Sequence, residues 1–158
     1  MTEFQKPPPK VLRGMTVLRG LTLWQPMAWA ISDLPEDEAK RLENRPWPPY
    51  RGVTHVAIHA GLRYHQPHAD FIAELLGRAV PTKKELPGGA ILCIARLDGV
   101  VEQSDDDWFM GKYGWILKDV VKLPEPVPHK GAMGMWRIDK DIRKKIWKFY
   151  RSEMRKRR

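Results

Sequence analysis

GGAILCIARLDGVV, residues 88–101, is the most apolar run in the chain, and its reading decides the fold. An unbroken apolar stretch from Ala90 to Ala95 behind a Gly-Gly turn signal reads as a buried strand. Working upstream, QPHADFIAELLGR (66–78) places Phe71, Ile72, Leu75 and Leu76 on one side of an amphipathic helix. Gly52 opens a further strand, VTHVAIHA (53–60). There Val53, His55, Ala57 and His59 face one way and Thr54, Val56, Ile58 and Ala60 the other. LTLW (21–24) is a short strand, and Pro26 fits the first turn of a helix that MAWAI continues. SDLPEDEAKR (32–41) is polar and acidic, its middle an exposed turn or a helical extension, and LENRPW (42–47) is extended because Pro46 pushes Arg45 out of the α region.

Downstream, an acidic turn at Asp105–Asp107 precedes two more strands, in GWILKDVVKL (114–123) and AMGMWRI (132–138). The segment DKDIRKKIWKFYRSEM (139–154) repeats Ile142, Ile146, Phe149 and Tyr150 at helical spacing. Short strands separated by Gly and Pro, with a few helices, predict an α+β protein. The expected architecture is a small β-barrel of five or six strands flanked by helices and closed by a basic C-terminal helix; a split α+β sandwich is the alternative.

The 158 residues argue for one domain, with 1–20 as a flexible proline-containing arm, 21–138 as the globular part and 139–158 as the helix. Cys93 is the single cysteine, which excludes an internal disulfide and a cysteine-based zinc cage. No run approaches the roughly 20 apolar residues of a membrane span, and MTEFQKPPPK carries charge and prolines where a signal peptide needs an apolar segment. A soluble, intracellular protein without membrane contact is expected. The net charge of +9 is uneven. Residues 139–158 hold ten bases and three acids, residues 1–20 four bases and one acid, and the middle fourteen bases and fifteen acids. Basic ends on a neutral body suit a polyanion such as RNA or DNA, since each cation that meets a phosphate releases counterions.

Lys40, Glu43 and Arg45 lie within six residues. On a strand Glu43, Arg45 and Trp47 share a face while Leu42 and Asn44 take the other. Trp24, Trp29, Trp47 and Tyr50 offer flat surfaces for base stacking. On spacing alone the cluster is either a polar cleft with a stacking wall or a solvated salt bridge beside core tryptophans. His55, His59, His65 and His68 have no acidic partner at ligand spacing, so no metal site is expected. Cys93 reads as a buried hydrophobe, and Trp115 and Trp136 as core residues whose indole N–H groups need partners.

The motif order resembles the ASCH domain, the activating signal cointegrator homology module of the PUA-like β-barrel superfamily. The matching pieces are LTLWQPMAWAI (21–31), K-x-x-E-x-R at Lys40, Glu43 and Arg45 with NRPWPPYRG after it, IHAG (58–61) and LPGGAILCIARLDGVVE (86–102). YGWIL (113–117) and PVPHKGAMGMWRI (126–138) complete a match over almost all of residues 21–138. Glu38 stands where the G-x-K-x-x-E-x-R signature has its glycine, and the segment before it is a few residues longer.

The resemblance implies a cleft between barrel and helices, lined by Lys40, Glu43 and Arg45, that binds RNA in preference to DNA. Trp24, Gln25, Trp47, Tyr50 and Arg51 are the further expected contacts around it. His59 either borders the cleft or is a half-buried core histidine; Lys130 either meets phosphate or is a solvated loop lysine. Arg143, Lys144, Lys148 and Arg151 would add phosphate contacts from the C-terminal helix, and no cofactor is expected. The alternative is a hydrolase on RNA or a modified nucleoside, with Lys40 and Glu43 catalytic. Some relatives are implied to be nucleases, and one removes the acetyl group of N-acetylcytidine with the signature Lys and a Thr. Glu43 occupies that Thr position, which removes the hydroxyl nucleophile and leaves only general-base action on water. A protein-interaction adaptor is the third reading.

Overall fold

A computed structural model describes residues 15–157, so the expected proline arm lies outside the described residues as far as residue 14. The chain runs β1 (Leu18–Gln25), α1 (Met27–Ser32), β2 (Leu42–Arg45), β3 (His55–Tyr64) and α2 (Gln66–Leu76). After a 3₁₀ turn at Lys83–Glu85 come β4 (Ala90–Val101), β5 (Tyr113–Pro128), β6 (Met135–Trp136) and α3 (Lys140–Lys156). The strands form one six-stranded mixed sheet in the order β2-β5-β4-β3-β1-β6, in which only β1 and β3 are parallel. Strand β1 begins at Leu18, inside the segment expected to be arm.

The sheet curls. Arg45, on the edge strand β2, donates from Nη2 to the carbonyl of Thr22 in β1 at 3.0 Å, although three strands separate the two in the sheet order. Side-chain alternation then gives the sheet an inside and an outside. Leu21, Leu42, Val56, Ile58, Trp115 and Leu117 point inward and pack with Ile31 of α1 and Ile72 of α2. Ala57, Ile91, Ile94 and Val121 point outward and are covered by Ile146 and Tyr150 of α3. The architecture is therefore α+β, a barrel-like mixed sheet with helices against both of its faces.

The helix ends follow local chemistry. Gly77 ends α2 in the left-handed conformation (φ 71°), which is cheap only without a Cβ. Asp139 caps α3, its carboxylate accepting the N–H groups of Asp141 and Ile142. Helix α3 is anchored again where the Tyr150 hydroxyl donates to the Asp119 carbonyl at 2.9 Å.

Three expected strands shift. β3 starts at His55 rather than Val53, because the Thr54 N–H and hydroxyl are both spent on Val17 before the ladder with β4 begins. β5 extends through Pro128, five residues past the expected Leu123. β6 shrinks to Met135–Trp136, since Gly134 at φ 70° turns the preceding residues off the sheet.

Because Ile146 is 2% exposed and seals the outer core, Ile146→Ala should cost about 2–5 kcal/mol in urea denaturation. The exposed neighbour change Lys145→Ala should stay within about 0.5 kcal/mol. Equal effects of the two would show that α3 does not pack as described.

Candidate functional site

The turn between α1 and β2 delivers the first functional side chain. Glu38 forms a two-pronged pair with Arg78 just beyond α2, at 2.7 and 2.8 Å. The Lys40 N–H donates to the Ala30 carbonyl at 3.0 Å, and Arg41 reaches back to the Ile31 carbonyl. The backbone is thus held against α1, and Glu38 ties this turn to the end of α2. The Lys40 side chain turns inward, where it is 1% exposed.

Its ammonium donates to Glu43 Oε1 at 2.7 Å and to the Leu42 carbonyl. Glu43, 6% exposed, accepts from Arg45 Nε at its other oxygen at 2.8 Å, and Arg45 continues to Thr22. Burial pushes the Glu43 carboxyl up, but Lys40 and Arg45 on either side pull harder, so it lies below the usual carboxylate range. Two cations on one carboxylate leave an excess positive charge in the wall.

This network lines a cleft of about 390 Å³ together with Trp24, His68 and Met110. Trp24 stands at the rim, 40% exposed, with the Arg63 guanidinium 4.1 Å above its ring. Behind it His65 and His68 pack edge-on at 4.3 Å. Burial, then the neighbouring His65, lowers the pKa of His68, and its Nδ1 has no hydrogen-bond partner among the described residues. Asn44 fixes the opposite lip, donating to the Trp108 carbonyl at 2.9 Å and accepting the Met110 N–H at 2.8 Å.

Of the residues anticipated for the cleft, Trp24, Lys40, Glu43 and Arg45 are brought together. Trp47 is not. Pro46 ends the alternation of β2, and the Trp47 ring packs against the inner core while its carbonyl accepts the Trp115 indole N–H at 3.0 Å. Gln25 is structural as well, bridging the Pro87 carbonyl and the Trp29 N–H. Tyr50 packs against the inner core, its N–H directed at the Met135 sulfur; Arg51 and Lys130 are exposed and do not line the cleft.

His59 lies under β6, 2% exposed, and it too is outside the cleft. Its Nε2–H donates to the His129 carbonyl at 2.7 Å and its Nδ1 accepts from Thr22 Oγ1, an arrangement that makes the ring neutral; burial lowers its pKa. Thr22 Oγ1 also accepts the Trp136 indole N–H at 3.0 Å, and His129 Nε2 accepts the Asp139 N–H. Cys93 is buried in β4, its thiol pushed up to about 12 by desolvation. Arg143 and Lys144 line a separate groove, and Lys148 and Arg151 are exposed on α3. His68 and Met110 line the cleft, and Arg63 covers its Trp24 rim, without a local signal, because each arrives from a distant segment.

Among the described residues, no group of three or more His, Cys, Asp or Glu side chains is placed to hold a metal ion. No helix among them is long and apolar enough to cross a membrane. No family model matches the chain, and no curated protein matches it either.

Glu43→Gln removes the carboxylate that balances two neighbouring cations and should cost about 3–5 kcal/mol at pH 7. Since the folded carboxyl sits below its ordinary value of about 4.5, its stabilisation is complete above that pH and is lost as the pH falls through the folded value. The gap between wild type and variant in urea titrations should therefore close on acidification below about 4.5. A gap constant from pH 7 to pH 3 would contradict the ionised triad.

Proposed function

We propose that this protein is a nucleic-acid-binding module of the ASCH type, within the PUA-like class, that takes one base or nucleotide of an RNA strand into the cleft. The observation that carries the reading is the buried Glu43 carboxylate held between Lys40 and Arg45 beneath an exposed aromatic rim. Buried charges are costly unless their geometry is fixed. Here the geometry leaves carboxylate lone pairs for base N–H groups and the outer edge of Arg45 for a carbonyl or phosphate oxygen. Trp24 adds a stacking face, and about 390 Å³ lies within the range of small-ligand clefts. A base enters such a recess only when unstacked, which favours single-stranded RNA over duplex. The exposed cations of α3 add contacts that do not depend on base identity.

The hydrolase reading has less support. Glu43 is held ionised below the usual range, which makes it a weak base, and the Lys40 ammonium is spent on two acceptors.

Fluorescence anisotropy with a labelled single-stranded RNA tests the proposal. Wild-type affinity should fall steeply with salt. Trp24→Ala, which leaves the ionic triad intact, should weaken binding about tenfold, a loss of one stacked base. Arg45→Ala should weaken it at least as much, with little change in the salt dependence. Affinity indifferent to both substitutions would overturn the cleft as the site. RNA or nucleoside turnover abolished in both Lys40→Ala and Glu43→Ala would replace the binding module with the hydrolase.

A further inference from the structure

A second groove, of about 370 Å³, lies at the other end of β1, between that strand, the link from β6 to α3, and the first turns of α3. It shares no lining residue with the cleft. Arg19, Arg137, Arg143 and Lys144 line it together with Trp147. The antiparallel register Gly20↔Trp136 and Leu21↔Met135, carried one step further, sets Arg19 opposite Arg137. Like charges facing each other across strands cost stability.

Among the described residues none of these four cations has a carboxylate within ion-pair distance. Four arginines elsewhere are ion-paired, Arg41 with Glu36, Arg45 with Glu43, Arg78 with Glu38, and Arg96 with Asp98 and Asp119, whereas the groove gathers its unpaired cations in one recess. Asp139, next in sequence to the groove residue Ile138, is turned onto the N–H groups of α3, and Asp141 in that first turn is exposed. Burial, then Arg137 and Arg143, depress the Arg19 guanidinium, as a crowded cationic recess requires. Trp147 is held in place by stacking on Tyr150, with ring centroids 5.2 Å apart.

We propose that this groove is a second binding site, which takes the sugar–phosphate backbone of a single strand across Arg19, Arg137 and Arg143. It deepens, and rests on, the nucleic-acid reading of the cleft. Four cations without an ion pair among the described residues exceed what one phosphate neutralises, so the ligand carries several. The groove is concave, which admits a strand and keeps a flat bilayer surface out. Its apolar floor, Val17 and Ile138, suits the sugars.

The test is a salt titration of labelled single-stranded RNA binding to the full chain. Arg137→Gln/Arg143→Gln, two exposed positions, should lower the slope of log K against log salt by about 1.4, about 0.7 per phosphate contact, and weaken binding at least tenfold at low salt. Its thermal midpoint should hold or rise, since repulsion is relieved. Lys83→Gln/Lys84→Gln, with the same charge change outside the groove and outside α3, should weaken binding no more than about twofold. Equal losses in both double variants would overturn the groove as a site, while a loss confined to Trp24→Ala and Arg45→Ala would do so and leave the cleft reading standing. A wild type that binds no RNA would remove both proposals. Cosedimentation with phosphatidylserine vesicles that the groove variant alone loses, with RNA binding unchanged, would assign the groove to a membrane surface instead.

Discussion

The carboxylate of Glu43, buried between Lys40 and Arg45, is the interaction on which the arrangement of this protein depends. An ionised carboxylate away from water is tolerable only with close counter-charges that hydrogen-bond to it. Lys40 comes from the turn after α1, Glu43 and Arg45 from β2, and Arg45 goes on to the Thr22 carbonyl in β1. Two strands that share no backbone ladder are joined there by side chains. The same atoms close the curl of the sheet and form the polar wall of the cleft, so stability and recognition draw on one set of contacts.

Helix α3 carries a comparable double duty. Its inner side, with Ile146 and Tyr150, covers the outer face of the sheet, and its outer side carries most of its lysines and arginines. Removing the helix to test its charge would therefore expose Ile91, Ile94 and Val121 as well. Neutralising single cations separates the two roles.

Much of the fold was legible because local rules suffice where a residue's environment is set by near neighbours. Alternation sorted Val56, Ile58 and Ala60 from Ala57 and His59, and helical spacing picked out Ile146 and Tyr150. Pro46 correctly marked an extended Arg45. The same alternation failed at Trp47, because it was carried past the proline that ends the strand. Contacts between distant segments were not legible. The Arg45–Thr22 bond spans 23 residues, His68 enters the cleft from α2, and Met110 is held there by Asn44 across 66. Nor could charge counting separate Arg19 and Arg137, which have no ion pair among the described residues, from Arg41 and Arg78, which have one; pairing is a property of the folded surface.

Thr22 is gripped on both sides of its strand. Its carbonyl takes the Arg45 guanidinium on the cleft side, while its hydroxyl meets His59 and the Trp136 indole on the other, and His59 leads through His129 to the residue that caps α3. A strand fixed in this way can neither roll nor slide at that point without rupturing polar contacts on two faces at once. The middle of β1 is accordingly a torsionally stiff rivet, and the recesses at its two ends hold a constant separation and orientation, like jaws set in a common frame.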